Sequence, residues 1–138
     1  MSRIPCTILF AVLAFTAAFA QTTNSKSASV QATKETLLTQ HWKFTGSEEF
    51  GMMKKANTKE ANDEARFDAD HKASITSGGV ATTGLWSMDK YAGVLTLAVD
   101  NSTEKRPYKI CKLVSDTLVL EYKDSALVKT KYHFLRQP

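Results

Sequence analysis

Residues Thr82–Val99, TTGLWSMDKYAGVLTLAV, decide the fold. Gly84, Trp86 and Met88 fall on one face of the first run, and Leu95, Leu97 and Val99 on one face of the second. The polar segment Asp89–Gly93 separates them. Period-two alternation on both sides of a short turn predicts a β-hairpin.

The same pattern extends outward from this pair. Toward the C-terminus, Asp100–Arg106 is a polar turn, and Tyr108, Ile110 and Leu113 mark a strand. The change of parity between Ile110 and Leu113 predicts a bulge near Lys112. Leu118, Leu120 and Tyr122 alternate on the next strand, and Thr130, Tyr132 and Phe134 on the last. Toward the N-terminus, Arg66–Thr76 reads as a hairpin turning at Asp70-His71-Lys72, followed by a turn at Ser77-Gly78-Gly79. His41–Thr45 begins the first strand, with Trp42 and Phe44 on one face. Gly46 and Gly51 allow a bulge or bend, and Phe50, Met52 and Met53 resume the strand. Lys54–Ala65 is charged and lacks alternation, which predicts a surface loop or a short helix. Thr33–Gln40 suits one or two helical turns, with Thr33 as cap and Leu37-Leu38 closing the end of the sheet.

About eight short strands follow one another with turns between neighbours and no crossover segment. Adjacent antiparallel pairing follows. Strands that each carry one apolar face bury it and lose their free edges by closing on themselves. The expected fold is therefore all-β: an eight-stranded antiparallel up-and-down β-barrel with a short N-terminal helical turn.

The first 20 residues carry a different message. Arg3 supplies a short basic start, Ile4–Phe19 is almost wholly apolar, and Ala18-Phe19-Ala20 is a small-x-small cleavage site. Residues 1–20 are expected to be a signal peptide, residues 21–32 a flexible polar leader, and residues 33–138 the barrel domain. Removing 20 of 138 residues leaves 118, enough for one domain with a single core. No membrane span is expected after cleavage, and the expected location is periplasmic or secreted. The full chain has a formal charge of +4, and its lysines are scattered rather than clustered, so nucleic acid is not an expected partner.

Cys111 is the only cysteine after the cleavage site, so no internal disulfide is expected; within a strand-like run it reads as a small buried side chain. Asp68, Asp70 and His71 lie close together, but their spacing fits no calcium loop, and a hairpin turn attracts Asp for its own backbone bonds. No metal and no cofactor are expected. There is no G-x-S-x-G, and the carboxylates fall mostly in turns, so no enzyme is expected.

Several of these residues also carry a family likeness. Leu38-x3-Trp42-x-Phe44, Gly84-x-Trp86-Ser87-Met88, Leu95-x-Leu97 and Tyr108-x-Ile110-x2-Leu113-x4-Leu118-Val119-Leu120 resemble the bacterial lipocalin-like domain family of small exported proteins. The resemblance covers roughly residues 36–136 and implies a lipocalin-like β-barrel. Lipocalins usually have Gly two residues before the first Trp; Gln40 stands there in this chain.

The candidate ligand-binding residues are those on the apolar faces: Trp42, Phe44, Trp86, Met88, Leu97, Tyr108, Leu120, Tyr122, Tyr132 and Phe134. Two readings of the set stay open. Aromatic faces with a few polar tips suit a pocket for a small apolar ligand in an exported binding protein. Alternatively, the interior of an eight-stranded barrel is narrow enough for side chains to fill. A filled barrel would serve as an envelope protein-interaction module or inhibitor, working through its loops. Met52 and Met53 are either a portal or strand residues packed beneath the charged loop.

Overall fold

The computed structural model describes residues 34–89 and 91–138. The expected signal peptide, leader and Thr33 cap lie outside the described residues. A short helix at residues 34–38 leads into nine strands. These are β1 (His41–Glu49), β2 (Met52–Lys55), β3 (Glu64–Phe67), β4 (Lys72–Ser77), β5 (Val80–Asp89), β6 (Val94–Val99), β7 (Lys105–Leu113), β8 (Thr117–Lys123) and β9 (Lys129–Arg136).

From β3 to β9 each strand pairs antiparallel with the next, and β9 returns to pair with β1, closing the sheet. The strands β2 and β3 lie on one and the same edge of β1. Lys55 to Met52 oppose Gly46 to Glu49, while Arg66 to Glu64 oppose His41 to Lys43. Between them, the Ala56 N–H donates to the Thr45 carbonyl and the Phe44 N–H donates to the Asp63 carbonyl, each at 3.0 Å. Thus β2 and β3 are two halves of one stave, and residues 57–62 form an excursion from it. Counted this way the barrel has eight staves, as the alternation predicts.

The structure extends three of the sequence expectations. β1 runs unbroken to Glu49, past Gly46. The loop or helix expected over Lys54–Ala65 is narrower, because Lys54 and Lys55 belong to β2 and Glu64 and Ala65 to β3. β7 begins at Lys105, so the polar turn before it is shorter than expected.

Two bulges set the curvature. One shifts the β1–β9 register between Phe44 and Gly46, where the Thr45 hydroxyl donates to the His133 carbonyl at 3.1 Å. Past it, the inward positions change from Trp42 and Phe44 to Ser47 and Glu49, which oppose Tyr132 and Thr130. The second lies between Ile110 and Lys112, as the parity change predicts. It leaves Cys111 unpaired and exposed, which corrects the expectation of a buried thiol. At Gly84, an added Cβ would collide with the Ala98 carbonyl of β6, so only glycine permits the two strands to approach this closely.

One end of the barrel is filled. Leu38 of the helix, Trp42, Phe67, Trp86, Leu95 and Leu118 are all buried there or along the adjoining core. The Trp42 indole N–H donates to the Leu38 carbonyl at 3.0 Å, tying the helix to the first strand. The Trp86 indole N–H donates to the Asp68 carbonyl at 3.0 Å, and its ring meets Phe67 edge-on at 6.2 Å. Both indoles therefore bury their area without an orphaned donor. Among the described residues no helix is long and apolar enough to cross a membrane.

Candidate functional site: a cavity at the open end

A cavity of about 650 Å³ occupies the other end, bounded by the β1–β2, β4–β5 and β6–β7 hairpins and by the facing ends of β8 and β9. Its base is apolar and aromatic. Phe44, Tyr108, Leu120 and Phe134 are buried there, and Tyr122 and Tyr132 stand half-buried above them. The rings support one another. Phe44 lies 6.3 Å from Tyr132 and 5.8 Å from Phe134, and Tyr108 lies 5.4 Å from Tyr122. Higher up the lining is polar: Ser47, Thr76, Thr82 and Thr130 on the walls, with charged side chains at the rim. Phe50 and Met52 form an exposed apolar lip.

The structure divides the ten candidate residues. Phe44, Tyr108, Leu120, Tyr122, Tyr132 and Phe134 line the cavity together. Trp42, Trp86, Met88 and Leu97 do not; they pack in the core. The interior is therefore filled at one end and hollow at the other, combining the two arrangements the sequence leaves open. Met52 stands at the lip and Met53 is exposed beside it, so neither packs beneath the excursion.

The polar lining was missed from the sequence. Thr82, Arg106 and Thr130 share parity with Trp86, Tyr108 and Tyr132, and that parity was the signal that would have found them. Ser47 and Glu49 carry no such signal, because the bulge at Thr45 moves them to the inward parity.

Two of the cavity's phenols, Tyr108 and Tyr132, are held in the neutral form. Burial pushes the Tyr108 hydroxyl above its ordinary value, with the Arg106 cation pulling the other way. Burial also raises Tyr132, and the nearby Glu49 carboxylate adds to the effect. Both therefore offer O–H groups, as donors and acceptors, at neutral pH. Arg106 is held more firmly protonated, chiefly by its Nε–H bond of 2.6 Å to Glu104.

One buried carboxylate builds the wall. Asp63 is 3% exposed and accepts from the Gly78 N–H at 2.6 Å and the Gly79 N–H at 3.0 Å. The excursion is thereby pinned to the β4–β5 turn, where β2 makes no ladder with β4. Both glycines have positive φ, which presents their successive amides to one acceptor.

Asp68, Asp70 and His71 lie at the filled end. Asp68 pairs with Arg66, Asp70 with Lys72, and the His71 ring packs on Trp86 with centroids 4.6 Å apart. Among the described residues, no three His, Cys, Asp or Glu side chains converge on a metal position.

No protein-family model matches the sequence, and no curated protein sequence matches it. Among solved structures the chain is similar to a lipocalin-like protein from Bacteroides uniformis, with 16% identity and a TM-score of 0.54. The match covers 73% of this chain and 99% of that one. At such identity the likeness bears on the fold, and it agrees with the strand order and closure described above: this chain is a lipocalin-like, closed, eight-stranded antiparallel β-barrel.

Proposed function

We propose that this protein is an exported, non-enzymatic binding protein that holds a small ligand in the open end of its barrel. The ligand is amphipathic, with an apolar body against the base and a polar end at the rim. The observation that carries this reading is the gradient within one cavity: buried rings and Leu120 below, hydroxyls on the walls, charges at the rim. A cavity of about 650 Å³ lies within the range of small-molecule sites. The cleavage signal read in residues 1–20 supports a periplasmic or secreted location.

Thr82 is a half-buried wall position outside the packed core, so Thr82→Trp adds bulk to the cavity without removing core contacts. With the neutral fluorescent probe N-phenyl-1-naphthylamine, the native protein should bind saturably and the variant at least about tenfold more weakly. Equal binding by both would sink the reading.

A second reading, an envelope interaction module, is favoured by two exposed tips. Phe50 and Leu127 are 81% and 69% exposed, both with positive φ, an uncommon state for such side chains. It requires that a Phe50→Ser, Leu127→Ser double variant lose a protein partner that the native chain retains.

A further inference from the structure

We propose that the cavity selects ligands bearing a positive charge, an organic ammonium on an apolar body, over ligands of the same size bearing a carboxylate. This rests on the binding reading above and supplies the chemical class of the polar end.

The cavity itself is the site, and its lining sets the sign. The chain carries a formal +4, yet the lining holds four carboxylates (Glu49, Glu60, Asp63 and Glu104) and two cations, Lys54 and Arg106; with Glu104 paired to Arg106 and Asp63 bound to two backbone amides, Glu49 and Glu60 stand against Lys54. Arg106 is the side chain an anionic ligand would seek, but Glu104 already takes its Nε–H at 2.6 Å. A carboxylate ligand would have to displace Glu104 or share the guanidinium with it. Glu49 is placed differently. It stands at the inward parity of β1, opposite Thr130, whose hydroxyl donates to it at 2.8 Å.

The aromatic set gives an independent reason for the same sign. Glu49 acts on the hydroxyl of Tyr132, and that ring lies 6.3 Å from Phe44. Aromatic faces carry the negative part of the ring quadrupole and attract an ammonium within about 6 Å of the centroid. A cation in the cavity has these aromatic rings at its base and the Glu49 carboxylate near the rim. An anion there is repelled by that carboxylate.

The test uses three ten-carbon probes that share an alkyl chain: decyltrimethylammonium, decanoate and decanol. Each is titrated calorimetrically, below its aggregation concentration, into the full chain. The expected result is that the ammonium binds about fivefold tighter than decanoate, a ratio that shrinks with added salt. Glu49→Gln should weaken ammonium binding about threefold and leave decanol unchanged. Glu60→Gln is a second rim variant with the same expected direction, and a thermal melt checks that each variant is folded. Decanoate binding as tightly as the ammonium, or ammonium binding indifferent to both variants, overturns the charge preference while the binding reading stands. If none of the three probes binds, the binding reading falls and takes this inference with it.

Discussion

Replacing Asp63 with Ala tests the interrupted stave. The carboxylate accepts two backbone N–H bonds, from Gly78 and Gly79, and is almost wholly buried. A hydrogen bond to a charged group contributes about 1.5–3 kcal/mol, so two give an upper bound of about 3–6 kcal/mol. Two effects reduce this. Gly78 and Gly79 sit on an exposed turn, so water takes over their amides once the carboxylate is gone. The variant also no longer desolvates a charge. A net loss of about 2–3 kcal/mol remains, which for a domain of this size lowers Tm by roughly 10 °C. Urea unfolding followed by tryptophan fluorescence reads the change, because Trp42 and Trp86 are both buried in the folded barrel. Asp63→Asn keeps one acceptor but turns an NH₂ toward the second glycine, so it should fall between native and Asp63→Ala. Hydrogen exchange at Gly78 and Gly79 should accelerate in both variants. A loss below about 0.5 kcal/mol for Asp63→Ala, with exchange at those two amides unchanged, would refute the idea that this side chain substitutes for the missing ladder.

Three further outcomes follow from the same structure. Gly84→Ala should destabilise by about 1–3 kcal/mol in urea unfolding, because its Cβ meets the Ala98 carbonyl and the strands must separate. The folded protein holds Tyr108 and Tyr132 protonated above a tyrosine's ordinary value of about 10, so between that value and their folded values the native state binds more protons than the unfolded chain. Stability should therefore be insensitive to these groups below about pH 9 and fall as pH rises through 10, and a Tyr108→Phe, Tyr132→Phe double variant should show a shallower fall in alkaline urea titrations. Cys111 should react with a thiol reagent such as Ellman's reagent in the native state at a rate close to that of the unfolded chain; protection by more than about tenfold would contradict its exposure.

Most of the barrel was legible because its filled parts obey strict alternation. Trp86 with Leu97, and Leu118 and Leu120 with Phe134 and Tyr132, announce their strands by placing apolar side chains at every second position. The open end was harder to read for a physical reason. There the inward positions are Ser47, Glu49, Thr82, Arg106 and Thr130, so a stave entering the polar part of the cavity loses the contrast between its two faces. That is why the sequence pattern does not reveal that β1 runs beyond Thr45 and that β7 begins before Tyr108. The division of the aromatic set was invisible for a different reason. Trp42 and Phe44 have the same parity and similar chemistry, and only the helix closing one end decides that the first is core and the second lines a cavity. The bond between Asp63 and two glycines fifteen and sixteen residues later left no pattern at all, since a lone carboxylate in a charged stretch looks like solvated surface.

The split stave has a mechanical consequence. Around the filled end every strand is laced to both neighbours, so the hoop of backbone bonds is unbroken and its circumference is fixed. Around the open end, among the described residues, β2 and the upper part of β4 share no ladder, and the Asp63 carboxylate bridges to the β4–β5 turn there. Girth is thus fixed by backbone at one end of the barrel and depends on a carboxylate at the other, so a single substitution at position 63 reaches the mouth and leaves the backbone hoop of the filled end intact.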